Sequence, residues 1–167
     1  TKVTFDGDKQ SIGAYAFSGC QHLADCVPPA SIETIGQYAF FDCKALTFVR
    51  VPDKVKTIST YTFANCTALV WADCGLGVES IEPFAFSGCS NARYISINGS
   101  ATEVKGNAFR GDKNATLLIV GKQQMTDFTD YTGIKEASTG SVDTKVIRNC
   151  KLKENETGRL MDRYPAI

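Results

Sequence analysis

Apolar and polar positions along this chain recur with a period of 23 residues. An aliphatic residue opens each copy at Ile12, Ile35, Ile58, Ile81 and Val104. A phenylalanine follows five positions later at Phe17, Phe40, Phe63, Phe86 and Phe109. Three further on stands a cysteine at Cys20, Cys43, Cys66 and Cys89, until Asp112 breaks the series. Self-similarity at a period on the order of 20 to 50 residues marks a solenoid. A unit this small cannot bury its own apolar face, so it stacks on its neighbours and shares one continuous core with them.

The pattern within a copy predicts three pieces. In Leu46-Thr-Phe-Val-Arg-Val51-Pro52 the alternation reads as a strand, with Val49 and Val51 on one face and Phe48 and Arg50 on the other. Pro52 has no amide donor and ends the ladder. A short extended segment comes next, at Ile32 to Ile35, Val55 to Ile58 and Val78 to Ile81. The third piece, Tyr38 to Cys43, reads as a short helix-like turn, and the Phe column as rings stacked in the interior. The fold class is therefore an α/β repeat.

Repeats are expected over 1–121. Met125, Phe128 and Tyr131 recur every third position, which suggests a short amphipathic cap over 122–137. The remainder, 138–167, opens in a Gly-, Ser- and Thr-rich stretch and reads as a linker followed by an extended or hairpin tail. Val3 and Phe5 occupy the columns of Val49 and Val51, so the chain begins in mid-repeat, as a trimmed product or a piece of a longer polypeptide would.

Ile35-Gly36-Gln-Tyr-Ala39-Phe40-Phe-Asp-Cys43-Lys-Ala-Leu46-Thr-Phe-Val49-Arg-Val51-Pro52 closely resembles the BspA-like leucine-rich repeat, and the resemblance extends over about 1–121. It implies a right-handed leucine-rich-repeat solenoid with a parallel concave sheet and short convex helical turns. It also implies a secreted or cell-surface protein of bacteria or parasitic protists, whose repeats mediate adhesion or protein-protein recognition. The family offers no shared catalytic residues. Late copies depart from the pattern, with Ala92 and Ala115 for Leu, Asp112 for Cys, and Asn98 and Gly121 for Pro, as expected where an array ends.

Charge narrows the partners. Eighteen basic and eighteen acidic side chains cancel, and no Lys/Arg run provides the footprint of a nucleic-acid binder. The longest apolar run, Leu117 to Val120, is strand-sized rather than membrane-spanning. Seven cysteines are an odd number, and the periodic ones project in parallel, a poor match to a disulfide torsion of roughly 90°. They read as buried thiols. Cys26 and Cys74 lie two rungs apart, on the order of 10 Å, and Cys150 is the one candidate reactive thiol.

Catalytic chemistry has little to work with. His22 is the sole histidine, and Cys20 in its column points inward, away from a nucleophile-base arrangement. Cys20, His22 and Cys26 lack the second ligand pair of a zinc site. Gly75-Leu76-Gly77 reads as a turn standing where neighbouring repeats use Pro, not as a phosphate loop. Sequons at Asn65, Asn98, Asn114 and Asn155 are glycosylation acceptors only on a eukaryotic secretory route. No enzyme activity, cofactor or metal is expected.

The functional lead is a column. Stepping by 23 through the non-core face of the concave sheet gives Asp25, Phe48, Trp71, Tyr94 and Leu117, flanked by Val27, Arg50, Asp73, Ser96, Ile119 and by Ala24, Thr47, Val70, Arg93, Thr116. Exposed aromatics rimmed by charge mark interaction sites, and Trp, Tyr and Arg dominate hot spots. Phe48, Trp71, Tyr94, Arg50, Asp73 and Arg93 are thus the candidate ligand-binding residues, for a protein partner or, alternatively, a glycan. Two competing roles for the aromatics are cross-strand stabilisation and coverage by the tail.

Overall fold

The computed structural model describes residues 3–98, 103–112, 116–120 and 145–150, and turns the 23-residue period into stacked rungs. One strand per rung builds a six-stranded parallel sheet. Its members are β2 (Asp25–Cys26), β4 (Phe48–Arg50), β6 (Trp71–Asp73), β8 (Tyr94–Asn98), β10 (Thr116–Val120) and β11 (Lys145–Cys150), side by side in that order. A second strand per rung, only two residues long, forms the lateral ladders: β1 (Ser11–Ile12) with β3 (Thr34–Ile35), and β5 (Thr57–Ile58) with β7 (Ser80–Ile81) and β9 (Glu103–Val104).

Between β3 and β5 the lateral ladder is interrupted. At the other junctions the residue after the strand donates its amide to the preceding rung, as Gly36 does to Ile12, Glu82 to Ile58 and Lys105 to Ile81, each at 2.9 Å. At this one the Ser59 hydroxyl makes the link, to the Ile35 carbonyl at 3.0 Å.

The interior follows the columns. Phe17, Phe40, Phe63, Phe86 and Phe109 stack with ring centroids 5.1, 5.2, 5.2 and 5.7 Å apart, and Phe40, Phe63 and Phe86 are fully buried. Their amides continue the stacking in the backbone: Phe40 donates to the Thr62 carbonyl, Phe63 to Ala85 and Phe86 to Ala108, all at 2.8 Å. Truncating one such buried ring to Ala costs about 3–5 kcal/mol. The described cysteines Cys20, Cys26, Cys43, Cys66, Cys74 and Cys89 are all free thiols.

Two expectations change. The helix-like turn over Tyr38 to Cys43 is a pair of tight turns, and the described residues contain no helix. Tyr38 (φ 58°) and Asp42 (φ 60°) are both left-handed, and so are their counterparts in other rungs. A right-handed helix cannot pass through residues in that region.

The constant period also fails once. Tyr94 pairs with Thr116 rather than Leu117, a step of 22 residues, which sets Leu117 opposite Ile95 and Ile119 opposite Ile97. Leu117 and Ile119 therefore leave the non-core columns assigned to them by spacing. In register they stand beside the core pair Ile95 and Ile97, where a constant step of 23 would have set Leu118 and Val120. From the tail region, β11 pairs in parallel with β10. The cap expected over 122–137 lies outside the described residues.

Candidate binding face

Register in the large sheet places the predicted residues together. Phe48, Trp71 and Tyr94 are successive Cα partners across β4, β6 and β8, and Arg50, Asp73 and Ser96 are the partners two positions on. Their neighbours in the strands, Val49, Ala72 and Ile95, point into the main core, so the aromatic set belongs to the opposite face. There it forms a separate small cluster, with Phe48 and Tyr94 packed against Trp71. The Trp71 and Tyr94 rings are 5.2 Å apart and tilted by 40°.

Exposure differs from expectation at the centre of this stripe. Trp71 is only 2% exposed, while Phe48 and Tyr94 are half-buried. Spacing assigns a residue to a face but carries no information on how far neighbouring side chains shield it. The accessible parts of the face therefore include the rims of Phe48 and Tyr94, the partly exposed Arg50, and the exposed Asp25, Val27 and Arg93.

A polar group adjoins the aromatics. Arg50 Nε lies 3.6 Å from Asp73 Oδ2. Asp73 Oδ1 accepts from the Gly75 amide at 3.2 Å and from the Ser96 hydroxyl at 3.2 Å. Burial pushes the Asp73 carboxyl above its ordinary range, and the Gly75 amide, Arg50 and Ser96 each pull it back. Those contacts fix the carboxylate. They also orient Arg50, whose side chain remains about a third exposed.

Gly75-Leu76-Gly77 serves the backbone of the same strand end. The Leu76 amide donates to Asp53 Oδ1 at 2.9 Å. A Cβ on Gly75 would strike the Val51 carbonyl and one on Gly77 the Asp53 carbonyl, so the segment hugs the preceding rung as only glycines allow.

Six copies of a family model described as the BspA type leucine rich repeat region match residues 1–116. The chain belongs to the BspA-type leucine-rich repeat family. Among solved structures, this BspA-type chain is similar to a leucine-rich repeat protein from Bacteroides ovatus, with 32% identity, a TM-score of 0.62, and coverage of 70% of this chain and 31% of the other. A leucine rich cell surface protein from Faecalibacterium prausnitzii matches at 25% identity and a TM-score of 0.68, over 84% of this chain and 35% of that one. The leucine-rich repeat protein of T. pallidum matches at 26% and 0.61, over 66% and 51%. The chain thus spans between about a third and a half of the lengths of these neighbours. No curated protein matches it.

The BspA-type array carries a second aromatic column that the strand-centred reading passed over. Tyr15, Tyr38, Tyr61 and Phe84 stack on the turns with centroids 4.8, 5.0 and 5.0 Å apart and planes within 13° of parallel. All four are left-handed, with φ between 57° and 61°. Their signal was the 23-residue spacing itself, three positions after each Ile. Because each ring covers the next, the column presents mainly edges and hydroxyls. Tyr15 at its end is 56% exposed.

The remaining candidate groups stay apart from this chemistry. His22 is exposed on its turn and Cys20 is half-buried. Among the described residues no group of three or more His, Cys, Asp or Glu could hold a metal ion. No described helix is long and apolar enough to cross a membrane.

Proposed function

We propose that this chain is a non-enzymatic protein-binding module of a cell-surface or secreted protein, and that it captures its partner on the face carrying Phe48, Trp71, Tyr94, Arg50, Asp73 and Arg93. The observation that supports this reading is the juxtaposition of an aromatic cluster with the braced Arg50–Asp73 pair on three adjacent strands. Family membership supports protein recognition, and one neighbour is described as a cell surface protein. In this scheme Trp71 is the base on which Phe48 and Tyr94 are held, and the contact is made by their rims and the two arginines. Preorganised aromatics and Arg lose little conformational entropy on binding, which is why they dominate hot spots.

A protein is favoured over a glycan because sugar stacking needs an open ring face. Trp71 is 2% exposed, and the faces within the Tyr15–Phe84 column are taken up by one another.

The test is capture of envelope and extracellular-matrix proteins by the full chain, its Arg93→Ala/Tyr94→Ala variant, and a Tyr15→Ala control on the other aromatic column. Affinity for a captured protein is expected to fall by about 30-fold or more in the double variant, equivalent to about 2 kcal/mol, and to stay level in the control. Equal capture by wild type and double variant removes this face from the proposal. A glycan array with strong hits, beside no protein capture, would replace it with the sugar-binding reading.

A further inference from the structure

In successive rungs one phenylalanine carbonyl accepts two donors. The Phe17 carbonyl takes the Cys20 amide at 3.1 Å and the Cys43 thiol at 3.0 Å. Phe40 takes the Cys43 amide at 3.3 Å and the Cys66 thiol at 3.2 Å. Phe63 takes the Cys66 amide at 3.4 Å and the Cys89 thiol at 3.2 Å. Phe86 accepts the Cys89 amide at 3.2 Å, and the column position that supplies the thiol elsewhere is occupied by Asp112.

Asp112 is 3% exposed, and among the described residues neither of its carboxyl oxygens makes a full hydrogen bond; the Cys89 amide, already given to the Phe86 carbonyl at 3.2 Å, acts on the carboxyl only as a nearby dipole. An ionised carboxylate there would be an uncompensated buried charge in a position that, in the other rungs, faces an acceptor. A neutral carboxylic acid instead carries a hydrogen to donate, as a thiol does. We propose that Asp112 stands in the cysteine column as a neutral acid whose O–H replaces the thiol hydrogen toward the Phe86 carbonyl, and that its ionisation loosens the rung Glu103–Asp112, making this end of the cysteine column pH-sensitive.

The surroundings agree. Burial raises the Asp112 carboxyl to about 9, with the Cys89 amide opposing that shift in part. Among the described residues, the titratable side chain facing it is the Cys89 thiol, which burial holds far above its own ordinary value and so neutral throughout this range. Of the basic groups in the same rung, Lys105 is bound to Glu82 at 2.8 Å and Arg110 is exposed. A carboxyl raised in the folded state binds its proton more tightly there than in the unfolded chain. Its contribution to stability is therefore complete below the ordinary value of 3.8, declines as pH rises toward about 9, and is level above that.

The experiment is a carboxyl-carbon NMR titration of the full chain, paired with hydrogen exchange of the Val104 to Phe109 amides in wild type, Asp112→Asn and Asp112→Cys. The Asp112 resonance is expected at its protonated position at pH 7. The opening equilibrium of that rung, corrected for intrinsic exchange, is expected to rise by up to about tenfold per pH unit in wild type and to stay flat in both variants, since one proton is linked to opening. An Asp112 carboxyl that titrates in the ordinary carboxylate range overturns the proposal, as does an equal pH dependence in the variants. Should either variant fail to fold, the wild-type titration decides alone.

Discussion

Tyr61 offers a clean separation of two forces acting on one residue. Its ring stacks at 5.0 Å on Tyr38 and at 5.0 Å on Phe84, while its backbone sits at φ 57°. An aromatic pair contributes roughly 0.5–1.5 kcal/mol, so removing the ring forfeits about 1–3 kcal/mol over two neighbours. The left-handed backbone costs any residue with a Cβ roughly 1–2 kcal/mol, a cost Gly escapes. Gly gives back part of that gain through its larger unfolded-state entropy, about 0.5–1 kcal/mol. Tyr61→Ala therefore loses the stacking and retains the strain, whereas Tyr61→Gly loses the stacking alone. Urea denaturation of the full chain is expected to show both variants destabilised, with Tyr61→Gly the more stable of the two by about 0.5–1 kcal/mol. Equal midpoints, or Ala above Gly, would refute the idea that stacking holds this column in a strained backbone.

Two further outcomes follow from burial. Phe63→Ala, with stacked rings on both sides, is expected to cost about 3–5 kcal/mol in the same assay, and Phe109→Ala, stacked against Phe86 and slightly exposed, distinctly less; equal losses would contradict a stack whose interior and end members differ. Under native conditions at pH 8 a thiol-alkylating reagent is expected to label Cys20 well before Cys26, Cys43, Cys66, Cys74 or Cys89. Burial raises Cys26 to about 12 and Cys43 to about 11, and the other three as well, which leaves little thiolate to react. Peptide mass spectrometry reads the order, and rapid labelling of Cys66 would contradict it.

Much of the fold was legible because the period assigns every residue a column. Phe40, Phe63 and Phe86, and the pairing of Phe48 with Trp71 and Tyr94, sit where spacing placed them. What spacing could not supply was local conformation. Gly, Asn and Asp announce a left-handed residue, and Gly19, Asp42, Asn65, Gly88 and Gly111 fill one such column, but Tyr15, Tyr38 and Tyr61 carry no such signal. Their turns consequently read as helix-like. The missing residue before Thr116 was hidden because Leu117 still fits the column of Phe48, Trp71 and Tyr94 by type, and only hydrogen-bond register separates a step of 22 from one of 23. The burial of Trp71 was out of reach for a related reason, since shielding depends on side-chain placement rather than on spacing.

The gap in the lateral ladder has a mechanical consequence. The large sheet runs unbroken from β2 to β11, but the opposing lateral wall is built in two lengths that meet at Ile35 and Thr57 with a hydroxyl, not an amide, closing the joint. Bending that stretches the lateral wall therefore concentrates at one seam.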